Sequence, residues 1–431
     1  MRLEADVVVV GLGPTGFAAA IAAARKGKKV LALESKDKIG GVMTRCPGMP
    51  WGAGYPLDKP IGGIFTELAE SMLSAEPPMA RKIYSSLANF GPEVVYDHNI
   101  AINKMYDMLE EAGVDFRLNA VVYDVTMNGN NIDHIKYYDM LGQHEAYGKM
   151  FVDGSGDGII ASAAGVPFQK GNEKGLMMGG TLTFIMKNCD TDKIFSFDDP
   201  YYEEFATKGV LDGELPEDMK KLYLMPAFRD GEVYFNNVNV QGVDGTDPFS
   251  VQKATREGVK KAETVIKWLK KGGIPGFEDA HMYHMGAEVG VRETRKFEGM
   301  YQLTIDELRN APRYEDGIVC CDNPIDDVAR EDDVMTHEAV VEQGKYYHIP
   351  FRVCVPKRVE NLFFGGRNLS VDTYSFATVR GMPQCFAMGQ AAGTAAVQCI
   401  DAAVPVQEFN TESLVKDLQK QGVNGIGEEE L

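Results

Sequence analysis

The chain has 431 residues, 44% of them hydrophobic and 25% charged. This is ordinary globular composition, enough for one large core or two smaller ones, and it excludes disorder and fibrous structure. With 44 Lys and Arg against 63 Asp and Glu the net charge is −19, so phosphate backbones and anionic lipid surfaces are repelled and neither nucleic acid nor a membrane is expected as a partner.

Residues 6–10 are a short β-branched run, 15–25 an alanine-rich helical stretch ended by Gly27, and 29–33 a return to strand, together a β-α-β unit. The apolar window 7–24 approaches a membrane span in length. Gly11, Gly13, Pro14 and Gly16 interrupt it, and Glu4 and Asp6 precede it, so neither a span nor a signal peptide is predicted. Residues 51–99 read as a Pro- and Gly-rich insertion with one helix over 64–73 and no legible role. Ile102, Met105, Tyr106 and Leu109 give 100–112 helical spacing, and Gly113 supplies the stop before a strand at 114–118. Residues 121–126, 132–138 and 149–152 predict a small antiparallel meander returning to a buried strand. Beyond about residue 166 the pattern changes to isolated strands, such as 181–186 and 233–237, and one firm helix, 248–271. Residues 362–365 are again a buried strand leading to a Gly-Gly turn, followed by a small-residue helix over 383–401 and an acidic tail at 428–430. The expected division is a discontinuous nucleotide-binding domain, 1–165 with 351–431, and an inserted α+β substrate domain, 166–350.

Gly11, Gly13 and Gly16 form a G-x-G-x-x-G turn, with Pro14 inside it, between strand and helix. The first glycine permits the turn, the second lets a pyrophosphate approach, and the third allows close helix–strand packing. Glu34, with Ser35 beside it, ends the second strand where an acceptor can take the ribose hydroxyls of an adenosine. A carboxylate there repels a ribose 2′-phosphate, which disfavours NADP. FAD and NAD share this fingerprint, but a plain NAD dehydrogenase needs neither Gly40 and Gly41 nor the second glycine-bearing strand end at Gly365 and Gly366. The seven cysteines, at 46, 189, 320, 321, 354, 385 and 399, contain no C-x-x-C, outline no disulfide framework or metal site, and fit a reducing cytoplasm.

The stretch from Gly11 to Gly16 with Glu34, Gly40 and Gly41 resembles the start of the glutathione-reductase-like FAD superfamily. Asp153, Gly154, Ser155, Gly156, Asp157 and Gly158 resemble a turn of one branch, the FAD-dependent oxidoreductases related to fumarate reductase flavoproteins. Two further stretches are similar to that branch: Gly290, Arg292 and Arg295 with Glu298 and Gly299, and Gly365, Gly366 and Arg367 through Arg380 and Pro383 to Gly389, Gln390 and Gly393. The resemblance implies an α/β fold, a Rossmann-type FAD-binding domain with a β-meander plus an inserted α+β substrate domain. It places the pyrophosphate on Gly11, Gly13 and Gly16, the ribose on Glu34, and the ribityl side of FAD at Gly40, Gly41, Gly366 and Arg367. It places Val122 at the adenine through its backbone, with Gly154, Gly156 and Gln390 in the same cofactor group. The helix from Pro383 would aim its N-terminal dipole at the flavin; residues 389–396 can equally serve tight helix packing, and both uses are compatible.

No His precedes His98, so the covalent flavin link of the fumarate reductase branch has no residue to form it and non-covalent FAD is expected. No redox Cys pair or second dinucleotide fold is legible, so an external electron donor or acceptor is expected rather than a built-in NAD(P)H domain. Cys320 and Cys321 either form a strained ring disulfide or lie as thiols on opposite faces of a strand, and Cys46 is either a flavin neighbour or ordinary loop packing. On the substrate side, His281 and His284 precede Arg292 and Arg295. This cluster either captures a carboxylate and delivers a proton or is structural, with the arginines paired to Glu288, Glu293 or Glu298. Tyr374 and Arg380 are the other candidates. The expected activity is hydride transfer between a small organic substrate and flavin N5, as reduction or dehydrogenation of a C–C bond beside a carboxylate or carbonyl. The alternatives are an amine or alcohol oxidase using oxygen and a flavin-carrying subunit of a larger electron-transfer complex.

Overall fold

The computed structural model describes residues 1–87, 89–326 and 337–431. Four successive valines end β1 (Arg2–Val10), and all four are buried because both faces of the sheet are covered. Val7 and Val9 point into one core and Val8 and Val10 into another, as the two-residue period of a strand requires. α1 (Pro14–Arg25) begins with Pro14 in its first turn and leads to β2 (Val30–Leu33), parallel to β1. The insertion holds α2 (Val42–Arg45), the expected α3 (Gly63–Leu73), and a hairpin that sequence reasoning did not find, β3 (Ala80–Tyr84) with β4 (Pro92–Tyr96). The carboxylate of Asp97 accepts the N–H groups of Asn99 and Ile100 and so starts α4 (His98–Glu111). β5 (Asp115–Arg117) lies parallel beside β2. The meander is β6 (Val121–Asn128), β7 (Asn131–Asp139) and β8 (Gly142–Asp153). The predicted strand at 149–152 is thus the end of a 12-residue strand that pairs with β7 over its first half and runs parallel to β1 along most of its length.

α5 (Ile159–Ala163) and β9 (Phe168–Gln169) lead into the second sheet through β10 (Gly180–Lys187). α6 (Thr191–Ile194) and α7 (Glu203–Leu211) precede β11 (Leu224–Pro226) and β12 (Val233–Val240). The predicted long helix is α8 (Pro248–Lys270), followed by β13 (His281–Met285). These strands form an antiparallel sheet in the order β11-β12-β10-β13. One face of it shares a core with all three helices, centred on Phe184 stacked on Phe235 with centroids 4.3 Å apart.

β14 (Lys296–Phe297) pairs back on β9, and α9 (Ile305–Leu308) follows. β15 (Gly317–Cys321), β16 (Ile325–Asp326), β17 (His337–Glu338) and β18 (Tyr347–Pro350) form two short antiparallel pairs, β15 with β18 and β16 with β17. Leu303, Leu308, Val319, Tyr347 and Val353 share the core of Val7 and Val9, so this stretch packs with the first sheet rather than with the second. Cys320 faces the Gly425 carbonyl oxygen, 2.7 Å away, and Cys321 the Thr378 carbonyl oxygen, 3.9 Å away; both are free thiols and the ring disulfide is absent. β19 (Leu362–Phe364) returns to the first sheet, parallel to the end of β8. α10 (Thr373–Val379), α11 (Met382–Ala402) and α12 (Thr411–Lys420) complete the chain. A Cβ on Gly389 would lie 2.7 Å from Thr15 C, and one on Gly393 2.9 Å from Ala19 C. α11 therefore lies backbone against backbone on α1, running in the same direction. Among the described residues no helix is long and apolar enough to cross a membrane.

Candidate active site

The carboxyl ends of the parallel strands finish in one row, with Val10 beside Leu33 on one side and beside Asp153 on the other, and Phe364 beside Asp153. Chain order reverses about β1, which opens the crevice where ligands of such sheets bind. Gly11 takes φ +84°, and a Cβ there would lie 2.8 Å from the Ser155 nitrogen. A Cβ on Gly16 would lie 2.9 Å from Gly11 C, so only glycine lets α1 sit this close to the turn. Gly13 caps α1 without a side-chain hydrogen bond, leaving the first N–H groups for an anion. Gly40 donates its N–H to the Leu12 carbonyl oxygen at 2.8 Å, and a Cβ on Gly41 would lie 3.1 Å from Gly13 Cα, so the second glycine pair is folded directly over the first.

Glu34 is buried, accepting the Leu12 N–H at 2.7 Å on Oε2 and the Lys36 N–H at 2.9 Å on Oε1, with the Ser35 hydroxyl 3.4 Å away. The N–H groups of Asn119 and Ala120 bond to the Lys36 and Glu34 carbonyls, which brings the start of β6, with Val122, beside that carboxylate. From the other side, a Cβ on Gly154 would lie 2.6 Å from Gly16 Cα, and one on Gly366 2.7 Å from Thr15 Oγ1. Gly156 lies under the Arg367 guanidinium, which donates to the Asp157 carboxylate at 3.0 Å. The structure thus gathers Gly11, Gly13, Pro14, Gly16, Glu34, Ser35, Gly40, Gly41, Val122, Gly154, Gly156, Gly366 and Arg367 at one sheet edge. Gln390 lies elsewhere. Its Oε1 accepts the Ile64 N–H at 2.9 Å and its Nε2 donates to Gln421 at 3.0 Å, so its side chain fastens α11 to α3 and to the C-terminal segment.

α11 starts seven residues before Gly389, which at about 1.5 Å per residue carries its N-terminus roughly 10 Å beyond that of α1. Its N-cap, Gly381, also lacks a side-chain hydrogen bond. Two uncapped positive helix ends, staggered by that distance along one crevice, fit a cofactor with an anionic diphosphate joined through a ribityl chain to an electron-accepting ring. The glycine contact therefore both packs α11 on α1 and sets the stagger of the two helix ends.

The second sheet covers the far end of this crevice. A Cβ on Gly48 would overlap the Tyr234 ring, and the Cys46 sulfur is 3.0 Å from where a Cβ on Gly290 would stand. Burial, and secondarily the charge of Glu288, push the Cys46 thiol up to about 11, so it is no ready nucleophile. Arg292 donates to Thr181 Oγ1 at 3.1 Å, and Arg380 to the Asp326 carbonyl at 2.9 Å and carboxylate at 3.4 Å. Burial works to raise the Asp326 carboxyl, yet the His337 hydrogen bond and the charges of Arg380 and Arg292 hold it well below the usual carboxylate range.

Arg295 is placed differently. It donates to the Asp157 carbonyl at 2.8 Å and lies over the Phe168 ring, and so braces the turn at 154–158. The three glutamates expected as alternative partners are engaged elsewhere: Glu288 by Arg45 and Lys36, Glu293 by Lys296 and the Met178 N–H, and Glu298 by Lys357. His284 stacks obliquely on His98, with centroids 4.8 Å apart, and His98 lines a small cleft with Asp97, Arg229 and Glu232, while His281 is exposed. Burial, then His284, push the His98 ring down to about 4; burial and Lys38 lower His284. Tyr374 is 45% exposed at the start of α10. Among the described residues no cluster of His, Cys, Asp or Glu could hold a metal ion. Sequence reasoning missed Asp326, Tyr223, Tyr234 and Glu93. Only Glu93 had a local signal, a lone carboxylate in the apolar run Pro92–Tyr96.

The model of the FAD dependent oxidoreductase family matches residues 6–421. Digeranylgeranylglycerophospholipid reductase 1 of Methanococcoides burtonii is 29% identical over 165 residues, 36% of this chain and 38% of that protein, so the match spans well under half of the relative. Among solved structures, the myxobacterial chondrochloren halogenase CndH superposes with a TM-score of 0.52 at 12% identity, covering 97% of this chain and 79% of that one. The flavin-dependent brominase Bmp2, in a triple-mutant form, gives a TM-score of 0.50 at 14% identity, covering 96% of this chain and 84% of that one. At these identities the likeness concerns the fold, a Rossmann-type FAD-binding architecture with an additional domain. The chain belongs to the FAD-dependent oxidoreductase family, and FAD is its cofactor.

Proposed function

We propose that this enzyme reduces or dehydrogenates a C–C bond beside a carboxylate or carbonyl in a small organic substrate. The cofactor's diphosphate would lie on the N-terminus of α1, against Gly11, Gly13 and Gly16, with its ribose at Glu34 and its ribityl side at Gly40, Gly41, Gly366 and Arg367. Bound FAD supplies acceptance or donation of hydride at N5. The FAD-binding body is assigned to 1–165 with 351–431, extended by residues 303–350, which share its core, and the unit built on the four-stranded sheet is the substrate cap.

The observation that carries this reading is the meeting of Arg292, from the second unit, and Arg380, from the approach to α11, around the half-buried Asp326. Guanidinium groups held in place beside an uncapped helix end orient a carboxylate or carbonyl oxygen and offset the negative charge that develops on it. Burial of Tyr234 and Cys46 in this region keeps water out, which strengthens those contacts. The relative from Methanococcoides burtonii is itself named a reductase, which agrees with the reductive direction. Electrons are exchanged with an external donor or acceptor.

Acid precipitation of the purified yellow protein should release intact FAD into the supernatant. After anaerobic photoreduction, mixing with fumarate or cyclohex-2-enone should reoxidise the flavin faster than mixing with air. Faster reoxidation by air would replace this reading with that of an amine or alcohol oxidase. Co-purification of an iron-containing partner would replace it with that of an electron-transfer subunit.

A further inference from the structure

β4 is buried along its whole length, and Glu93 is the single carboxylate in it, 6% exposed. Trp51 exchanges two backbone hydrogen bonds with Val94, at 2.9 and 3.1 Å, which sets the Glu93 side chain against the stretch 51–54. A Cβ on Gly52 would lie 3.0 Å from Glu93 Oε1, so the bare glycine is what lets the carboxyl reach in there. The same stretch is tied to the start of α11. The Ala53 carbonyl accepts from Gln384 Nε2 at 2.6 Å, and a Cβ on Gly54 would lie 3.2 Å from Pro383 Cγ. Glu93 therefore stands a few residues from the helix end assigned to the flavin, on the side where Arg380 holds Asp326.

An ordinary structural explanation for a buried carboxylate is an ion pair or a cap, and among the described residues Glu93 shows neither. Its Oε2 has no hydrogen-bond partner among the described residues. The groups that bear on it are the Ser85 hydroxyl from the β3–β4 turn, the like charge of Asp326, and the buried phenol of Tyr223 beside β11. Leaving such a group unpaired costs stability, and groups retained at that cost concentrate where chemistry needs them.

We propose that Glu93 is the proton-transferring group of this site, an inference that rests on the hydride-exchange reading above. In the reductive direction a hydride, with its electron pair, passes from the reduced cofactor to one carbon of a C=C bond. The π pair then forms a bond to the proton released by the Glu93 carboxyl at the neighbouring carbon, and the carboxylate left behind is reprotonated from water. Dehydrogenation is the reverse, with Glu93 as base and oxidised FAD as the two-electron acceptor. Burial, followed by the Asp326 charge, pushes the Glu93 carboxyl up to about 7 against the Ser85 hydrogen bond, while the arginines keep Asp326 ionised. Two neighbouring carboxyls thus divide into one proton donor and one fixed anion, the division of labour that acid–base work needs.

Infrared difference spectra of the FAD-loaded protein, titrated from pH 5 to 9, should show a protonated carboxyl band that vanishes with a midpoint near 7 and is missing in Glu93→Gln. Asp326→Asn removes the like charge and should move that midpoint downward, which keeps the assignment testable if Glu93→Gln does not fold. Reoxidation of photoreduced Glu93→Gln by fumarate or cyclohex-2-enone should be slower than wild type by about 10²- to 10⁴-fold, with flavin content unchanged. A band that survives Glu93→Gln, a midpoint unmoved in Asp326→Asn, or wild-type reoxidation in the variant overturns the proposal. Failure of both probes on the wild type would instead overturn the carbon–carbon reading, and the infrared band would still decide the state of Glu93.

Discussion

The contact between α1 and α11 is where stability and cofactor binding can be separated. A Cβ added at Gly389 would lie 2.7 Å from Thr15 C and 2.9 Å from Thr15 Cα, and would overlap the Thr15 carbonyl oxygen. All of these atoms are backbone, so no side chain can turn aside, and restoring ordinary contact requires the helices to part by roughly 1 Å. Overpacking of this kind costs about 1–3 kcal/mol, which in a chain of 431 residues lowers Tm by roughly 1–3 °C. Thr15 lies in the first turn of α1, so the same displacement moves the N–H groups proposed to receive the diphosphate. Loss of one charge-assisted hydrogen bond there, worth roughly 1.5–3 kcal/mol, weakens FAD by about 10- to 150-fold. Gly393→Ala is the control: its Cβ would lie 2.9 Å from Ala19 C, one turn further from the crevice. Both variants should melt earlier by thermal denaturation, and only Gly389→Ala should bind FAD more weakly when apoprotein is titrated and flavin fluorescence followed. Equal affinities in the two variants, or a Gly389→Ala protein with unchanged Tm, would refute the link between helix packing and the cofactor seat.

Glu34→Arg should strip FAD, because the ribose loses its acceptor and the Leu12 N–H loses its 2.7 Å partner; full flavin content after dialysis would remove Glu34 from the site. Arg292→Ala should lower kcat/KM by about 10- to 150-fold with flavin retained. Arg295→Ala should instead lower Tm, since that guanidinium braces the Asp157 turn; the opposite pattern would exchange their roles. Glu93 also predicts a pH dependence of stability: with its carboxyl at about 7 in the folded protein and near 4.5 in the unfolded chain, the folded state holds the extra proton between these values. Its contribution is full below about 4.5 and is lost as pH rises through 7, on the order of 3 kcal/mol. The Tm of Glu93→Gln should therefore gain on wild type by several degrees between pH 5 and 8; a constant offset would show that the carboxyl titrates normally. His98 has the reverse sign. With its ring at about 4, it stabilises the fold above 6.5 and that contribution is lost as pH falls toward 4, so calorimetry of His98→Gln should show a shallower acid limb than wild type.

The parts legible in the sequence are those whose conformation is set by near neighbours. The β-α-β unit, the glycine turn and Glu34 can be read because strand period, turn chemistry and helix period all act within a few residues. The same holds for α3, α4 and α8, whose predicted ranges match the structure closely. Gln390 shows where that reasoning stops. It follows Gly389 directly, yet one residue turns a helix by about 100°, and its amide meets α3 while the glycine meets α1. The β3–β4 hairpin was hidden because its strands gain their burial from Trp51 and from the second sheet rather than from a pattern of their own. The sequence alone groups residues 303–350 with the second domain because their short strands lack a period long enough to assign them to a core, and only packing sets them with β1. The proposed substrate side depends on tertiary structure throughout. Glu93, Arg292, Asp326 and Arg380 come from four separate stretches, and what gives each its chemistry is burial and the charge of the others, which exist only once the chain has closed over itself.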